Sequence, residues 1–411
     1  MLVGSVFPGP AVSFDPEYLV RNLVAVIGSH NYAPADPDEA VGFLCRTGMR
    51  DQLAALVSEP LALTGDRRRV RDGLPWHPPE GRDRAVNAAV QLPSGVMSAG
   101  ADSDRPAPAK NMVWIPGGTF SMGSNDFYPE ERPVHEVAVD GFWMDTHVVT
   151  VAEFRRFVSD TGHVSTAEIA PDAAEFPEAP DHMLVPGSLV FTPPQQRVPL
   201  DDVSRWWSWT PGAYWRRPEG PGSDIDGRQR HPVTHVSYVD AAAYAAWAGK
   251  ALPTEAEWEF AARGGLDQAV FAWGNEFMPK GRHRANTWQG AFPHENLEED
   301  GFSRTSPVGS FPPNGYGLFD VTGNVWEWTR DLHTADNAEH SPVVTTSCCT
   351  TSNPVQGEGG FAAGRFRVIK GGSHLCAPNY CLRYRPAARQ RESVDTSTSH
   401  IGFRCMVPGD E

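Results

Sequence analysis

The chain has 411 residues, room for one large domain with a smaller companion, and its 40% hydrophobic and 21% charged content is ordinary for a folded globular protein. A formal net charge of −16 argues against nucleic acid or an anionic membrane as partner, while leaving an arginine-bearing substrate welcome. No stretch approaches the roughly 18 apolar residues of a membrane span, and six cysteines are too few for a disulfide scaffold.

Residues 1–60 carry two helix-like runs. Asp15-Pro16 supplies a cap and first turn before Leu19, Leu23 and Val26, with Gly28 as a stop. A second run starts at Asp36-Pro37. Two readings stay open: a small helical module resembling the adaptor-like domains of some bacterial effector proteins, or a disordered extension. The start "MLVGSVFPGPAVSFD" lacks the basic and long apolar regions of a signal peptide, so the expected location is cytoplasmic with reduced thiols. Residues 61–111 are charged and Pro-rich, ending in "SAGADSDRPAPAK", and read as a linker.

The character changes at Met112. "MVWIPGGTFSMGS" alternates apolar residues around Pro-Gly-Gly, a strand–turn–strand signal. Three capping boxes then predict three helices: Thr150 with Glu153, Ser237 with Asp240, and Thr254 with Glu257. They close at Gly162, Gly249 and Gly264. Elsewhere short strands sit in long loops, as 39 Gly and 37 Pro imply. The predicted class for residues 112–411 is α+β, loop-rich, with little regular structure. Irregular backbone buries its polar groups poorly, so such loops need fastening, and ions are one means.

Two constellations offer chemistry. Cys376 and Cys381 flank Ala377-Pro378-Asn379-Tyr380, where a turn at Pro378-Asn379 would fold the sulfurs together. Two thiolates on a turn suit Cu(I). A zinc site completed by His374 and His400, a redox-active disulfide and inert packing are the other readings. The second constellation is oxygen-rich. Asn286 and Asp300 could close a ring, and Asp320 and Glu327 could face an ion beside the carbonyls of Gly323 and Val325. Mixed carboxylate, amide and carbonyl oxygens are what Ca²⁺ takes, although the same residues are ordinary turn formers. Ser373, His374 and Asp395 lack the G-x-S-x-G context of a hydrolase. Phosphate loops, G-x-G-x-x-G and H-E-x-x-H are absent from the sequence.

Taken in order, "MVWIPGGTFSMGS", "LPTEAEWEFAARGG", "ANTWQG", "NGYGLFDVTGNVWEW", "KGGSHLCAPNYCLRYRPAAR" and "HIGFRC" resemble the formylglycine-generating enzymes, or sulfatase-modifying factors, from Met112 to Cys405. The resemblance implies a fold distantly related to C-type lectins, with residues 112–411 as catalytic domain. It implies one calcium on Asn286, Asp300 and the carbonyls of Thr287 and Phe302. A second would sit on Asp320, Glu327 and the carbonyls of Gly323 and Val325. It implies Cu(I) on Cys376 and Cys381, Ser373 in an oxygen pocket and Trp326 lining the substrate groove. The implied reaction oxidises the cysteine of a Cys-x-Pro-x-Arg motif to Cα-formylglycine, in a sulfatase polypeptide not yet folded, with O₂ and an external thiol reductant. Secretory members carry extra cysteines, one just after "RYR"; Pro386 stands there instead, which points to a bacterial-type enzyme and leaves Cys405 without its usual partner. The rivals are an iron-dependent sulfoxide synthase of the ergothioneine type, whose His-x3-His-x-Glu helix is missing, and a lectin-like binding domain, which needs no cysteine pair.

Overall fold

A computed structural model of the chain describes residues 106–333, 351–352 and 366–409. The expected N-terminal module, the linker up to residue 105, and Cys45, Cys348 and Cys349 lie outside the described residues.

The strand–turn–strand reading of the segment after Met112 is half right. Strands β1 (Met112–Ile115) and β2 (Gly118–Met122) form, but they do not pair with each other. Instead β2 pairs with β3 (His135–Val139), and β1 pairs with β4 (Phe142–Asp145), both antiparallel. The Pro116-Gly117 turn redirects the chain from one pair to the other. Gly117 has φ +69°, and a Cβ there would sit 2.6 Å from the backbone of Asp140 and Gly141, in the turn joining β3 to β4. Only glycine accommodates that approach.

The three capped helices form where the boxes place them. Helix α1 (Val151–Thr161) has Thr150 and Glu153 capping each other reciprocally, and Gly162 ends it in the left-handed region. Its Phe154 and Phe157 turn inward. Strands β5 (Gly187–Phe191) and β6 (Trp207–Pro211) form a separate antiparallel ribbon. Helix α2 (Tyr238–Trp247) follows Ser237, and its Tyr244 packs against both phenylalanines of α1. Helix α3 (Glu255–Arg263) follows Thr254 and is almost wholly buried.

The remaining strands are short: β7 (Trp326–Leu332), β8 (Thr351–Ser352), β9 (Phe366–Lys370), β10 (Arg389–Ser393), β11 (Ile401–Gly402) and β12 (Met406–Pro408). They complete sheets ordered β1-β4-β12, β2-β3-β8 and β10-β9-β7-β11. One core gathers α1, α2, Trp326, Trp328 and Ile369 around Cys376 and Cys381. A second joins β1 to β4 with Trp258 and Phe260 of α3.

Candidate active site

The loop between β9 and β10 carries the cysteine pair, and salt bridges rather than regular structure hold it. Lys370 ends β9, Arg389 begins β10, and the two stand opposite each other in the sheet. Both reach Glu255 of α3: Arg389 through two bonds of 2.8 Å, Lys370 at 3.3 Å. Lys370 also meets Glu259 at 2.9 Å, and Glu259 takes Arg263 at 2.7 Å. The result is a buried chain of alternating charges that pins both ends of the loop. Farther in, Arg385 pairs with the fully buried Glu131. Side-chain ion pairs thus fasten this loop at both ends.

Inside the loop the expected turn forms. The N–H groups of Tyr380 and Cys381 both donate to the Ala377 carbonyl, at 3.1 and 2.8 Å. The sulfurs of Cys376 and Cys381 come to 3.0 Å, both free thiols and both buried. Upstream, Gly371 and Gly372 both take positive φ. A Cβ on Gly372 would lie 2.7 Å from the Arg383 carbonyl oxygen, so this glycine lets the two limbs of the loop touch. Ser373 is fully buried: its N–H donates to Cys376 Sγ at 3.4 Å, and its Oγ accepts from Leu375 N.

The two thiols differ electrostatically. Cys381 is pulled down to about 7, first by the thiol of Cys376 acting as donor and then by the Arg383 guanidinium. Burial, and next the neighbouring Cys381, push Cys376 well up. The pair therefore favours one shared proton and one thiolate sulfur. Arg383 Nη1 lies 4.0 Å from Cys381 Sγ, Nη2 bonds Glu130 at 2.6 Å, and the guanidinium covers the Tyr128 ring at 3.9 Å. Burial opposes its charge, but Cys381, Glu130 and Tyr128 raise its pKa above the usual range. Arg383, Tyr128 and Glu130 were missed in the sequence; the "RYR" after Cys381 was the available signal.

Trp326 lies in the same buried cluster as the thiols, with its N–H on the His400 carbonyl. Beside the loop an aromatic wall gathers Phe191, Trp206, Trp288, Phe292 and Tyr380, with Phe292 stacked on Tyr380 at 4.5 Å. The two histidines of the zinc reading each have one ring nitrogen bonded. His374 Nδ1 meets the Asn324 carbonyl and His400 Nδ1 meets Thr398 Oγ1. Asp395 receives the Ser393 hydroxyl, not a serine–histidine pair. Among the described residues no three His, Cys, Asp or Glu side chains gather as a metal cluster.

Two soft, free, convergent sulfurs fit Cu(I) by donor chemistry. The first calcium set fits also. Asn286 Oδ1 is buried without a partner, and the carboxylate of Asp300 accepts from Thr287 N and Phe302 N. Gln289, which sequence reasoning missed, donates to Asp300 Oδ2 and to the Thr287 carbonyl. The second set fits only in part. Asp320 Oδ1 is buried and unpartnered. Glu327 instead turns its carboxylate to Arg404, at 2.6 and 2.8 Å, and to Trp258 Nε1 at 2.8 Å. A guanidinium already pairs with it, so the carboxylate of this set without a cationic partner is Asp320. Gly323 and Val325, whose carbonyls belong to the second set, are buried, and Gly323 packs on the Asn286 carbonyl of the first.

Known proteins are similar to this chain in sequence. Residues 98–408 match the sequence profile of the Sulfatase-modifying factor enzyme 1-like domain. The formylglycine-generating enzyme of Mycobacterium tuberculosis is 51% identical over 296 residues, covering 72% of this chain and 97% of that protein. That of Thermomonospora curvata is 50% identical over 304 residues, covering 73% and 94%. A relative from Bos taurus described as an inactive Cα-formylglycine-generating enzyme 2 is 39% identical over 300 residues, covering 72% and 87%. Among solved structures, PvdO from Pseudomonas aeruginosa superposes with a TM-score of 0.50 at 24% identity, over 73% of this chain and 96% of PvdO, a likeness of fold alone. Profile, identities and coverage agree: the chain belongs to the formylglycine-generating enzyme family of sulfatase-modifying factors.

Proposed function

We propose that this protein is an oxidoreductase that converts the cysteine of a Cys-x-Pro-x-Arg segment in an extended sulfatase polypeptide to Cα-formylglycine. O₂ is the oxidant, and Cys376 and Cys381 hold the Cu(I) that is needed. The observation that carries the reading is the pair of free, buried sulfurs 3.0 Å apart on a clamped turn. Identity alone does not decide activity, since a relative described as inactive also matches over most of its length. A lectin-like scaffold would have no use for two converging thiols.

In this reading a bound cuprous ion supplies a soft centre at which the client thiol meets O₂. The chain's own residues do the rest. Cys381 is poised to lose its proton near neutrality, and Cys376 holds its proton more tightly. Ser373 anchors Cys376 through its N–H. The aromatic wall around Tyr380 and Phe292 keeps water from the turn and offers stacking surface to a proline. The balance closes with two electrons from the client Cβ–S unit and two from an external thiol. One oxygen atom enters the aldehyde, the other leaves as water, the client sulfur leaves as H₂S, and the reductant becomes a disulfide. A reducing cytoplasmic setting suits that stoichiometry.

The test incubates the full chain with Cu(I), a thiol, O₂ and a Cys-x-Pro-x-Arg peptide, then traps aldehyde with a hydroxylamine probe. Wild type gives oxime at the peptide cysteine; Cys376→Ser and Cys381→Ser give none. Oxime formed equally by either variant would remove the thiol pair from the mechanism.

A further inference from the structure

We propose that Arg383 is a positioning residue that carries the counter-charge for the metal-loaded thiol pair, and that Glu130 sets how much of that charge the sulfurs feel. The inference rests on the copper reading above. With both sulfurs as thiolates on one Cu⁺, the loaded pair is a unit of net charge −1. Cys376 is 2% and Cys381 7% exposed, and a net charge buried that deeply needs a partner.

Arg383 is the cation the structure places against a sulfur, with Nη1 at 4.0 Å from Cys381 Sγ. Its neighbour Arg385 provides the contrast. Arg385 makes two bonds to Glu131, a carboxylate wholly buried with it, and that pair neutralises itself. Arg383 makes one bond to a carboxylate, that of Glu130, whose side chain is 24% exposed while that of Arg383 is 4% exposed. Its Nε is buried with no partner at all. Water screens the carboxylate more than the guanidinium, so a residual positive field remains on the sulfur side. The orientation is locked from three directions. Tyr128 lies flat beneath the guanidinium, its hydroxyl accepts from Leu382 N at 3.0 Å, and Gly372 packs against the Arg383 backbone.

A structural role and an electrostatic role predict opposite results for Glu130. Each variant would be titrated anaerobically with Cu(I) against a chromophoric chelator, using the full chain and thermal melts to confirm folding. Charge compensation predicts that Arg383→Gln weakens Cu(I) binding by about 10- to 100-fold, and that Arg383→Lys recovers most of the loss. Glu130→Gln, which removes the competing anion, binds Cu(I) more tightly than wild type. If Arg383→Gln fails to fold, Glu130→Gln against wild type decides alone. Equal weakening of both variants, as expected when one ion pair is broken from either side, would overturn the inference, and so would unchanged affinity in both. A wild type that takes up no Cu(I) would instead defeat the copper reading, and this inference would fall with it.

Discussion

Gly372 shows how much a single position can decide. At φ +68° a side chain is strained wherever space allows one, and here space does not. An added Cβ would meet the Arg383 carbonyl oxygen at 2.7 Å and Tyr384 N at 2.8 Å, both backbone atoms with nowhere to retreat. Gly372→Ala is expected to cost about 2–4 kcal/mol, combining left-handed strain with overpacking. A guanidinium unfolding curve reads the loss, and a midpoint within error of wild type would show that the limbs of the loop can separate freely. At this scale the sequence was generous with chemistry and silent on geometry. The cysteines and their turn were legible because Pro378-Asn379 is local. Arg383 was not, because its meaning depends on Tyr128 and Glu130, and the latter lies 253 positions away. The ion-facing reading of Glu327 beside the Val325 carbonyl is local; its bond to Arg404, 77 positions distant, is invisible to that signal.

Among elements, α3 departs most from what its pattern suggested. Its capping box fixed where it starts, but Glu255 and Glu259 on a helix would ordinarily face water. Both are buried, at 1% and 0%, because Lys370 and Arg389 arrive from strands more than a hundred positions later. Helix starts are written within four residues; the face a helix buries is written in its partners. Removing Glu255 would take the carboxylate from Arg389 and leave Lys370 with Glu259, at the base of the cysteine loop. Glu255→Ala is expected to destabilise the fold by about 3–5 kcal/mol, the range for breaking one side of a buried ion pair. Glu255→Gln should recover only part, since an amide oxygen accepts from one cation without neutralising either. Hydrogen exchange at the amides of Tyr380 and Cys381 checks the local consequence. Protection there that survives Glu255→Ala would mean the turn needs no clamp at its ends.

Across the whole molecule, separate segments bring His235 and His374 into electrostatic reach of His400. All three are held neutral, chiefly by burial. His235 is depressed to about 3, His374 to about 4, and His400 well below the usual value. His235 is the junction: Nδ1 meets Ser188 Oγ of β5 at 2.7 Å, and its backbone N–H donates to Thr398. The sign follows from linkage. An unfolded histidine titrates near 6.5, whereas these stay unprotonated in the native state at far lower pH. Between those values the unfolded chain binds more protons, so stability falls as pH falls, by up to about 1.4 kcal/mol per pH unit for each group. Asp320, raised to about 6 by burial, works the other way below that pH, because there the native state binds the extra proton. The raw pH profile therefore mixes both, and a single substitution must isolate the histidine contribution. His235 sits at φ +59°, a conformation asparagine tolerates, so His235→Asn removes the titration without forcing the backbone. Unfolding free energies of wild type and His235→Asn between pH 6.5 and 4 should diverge in slope by up to about 1.4 kcal/mol per pH unit, the variant being the flatter. Parallel profiles would mean that His235 is protonated in the native state, and that the buried junction of β5 with the C-terminal segment admits a charge.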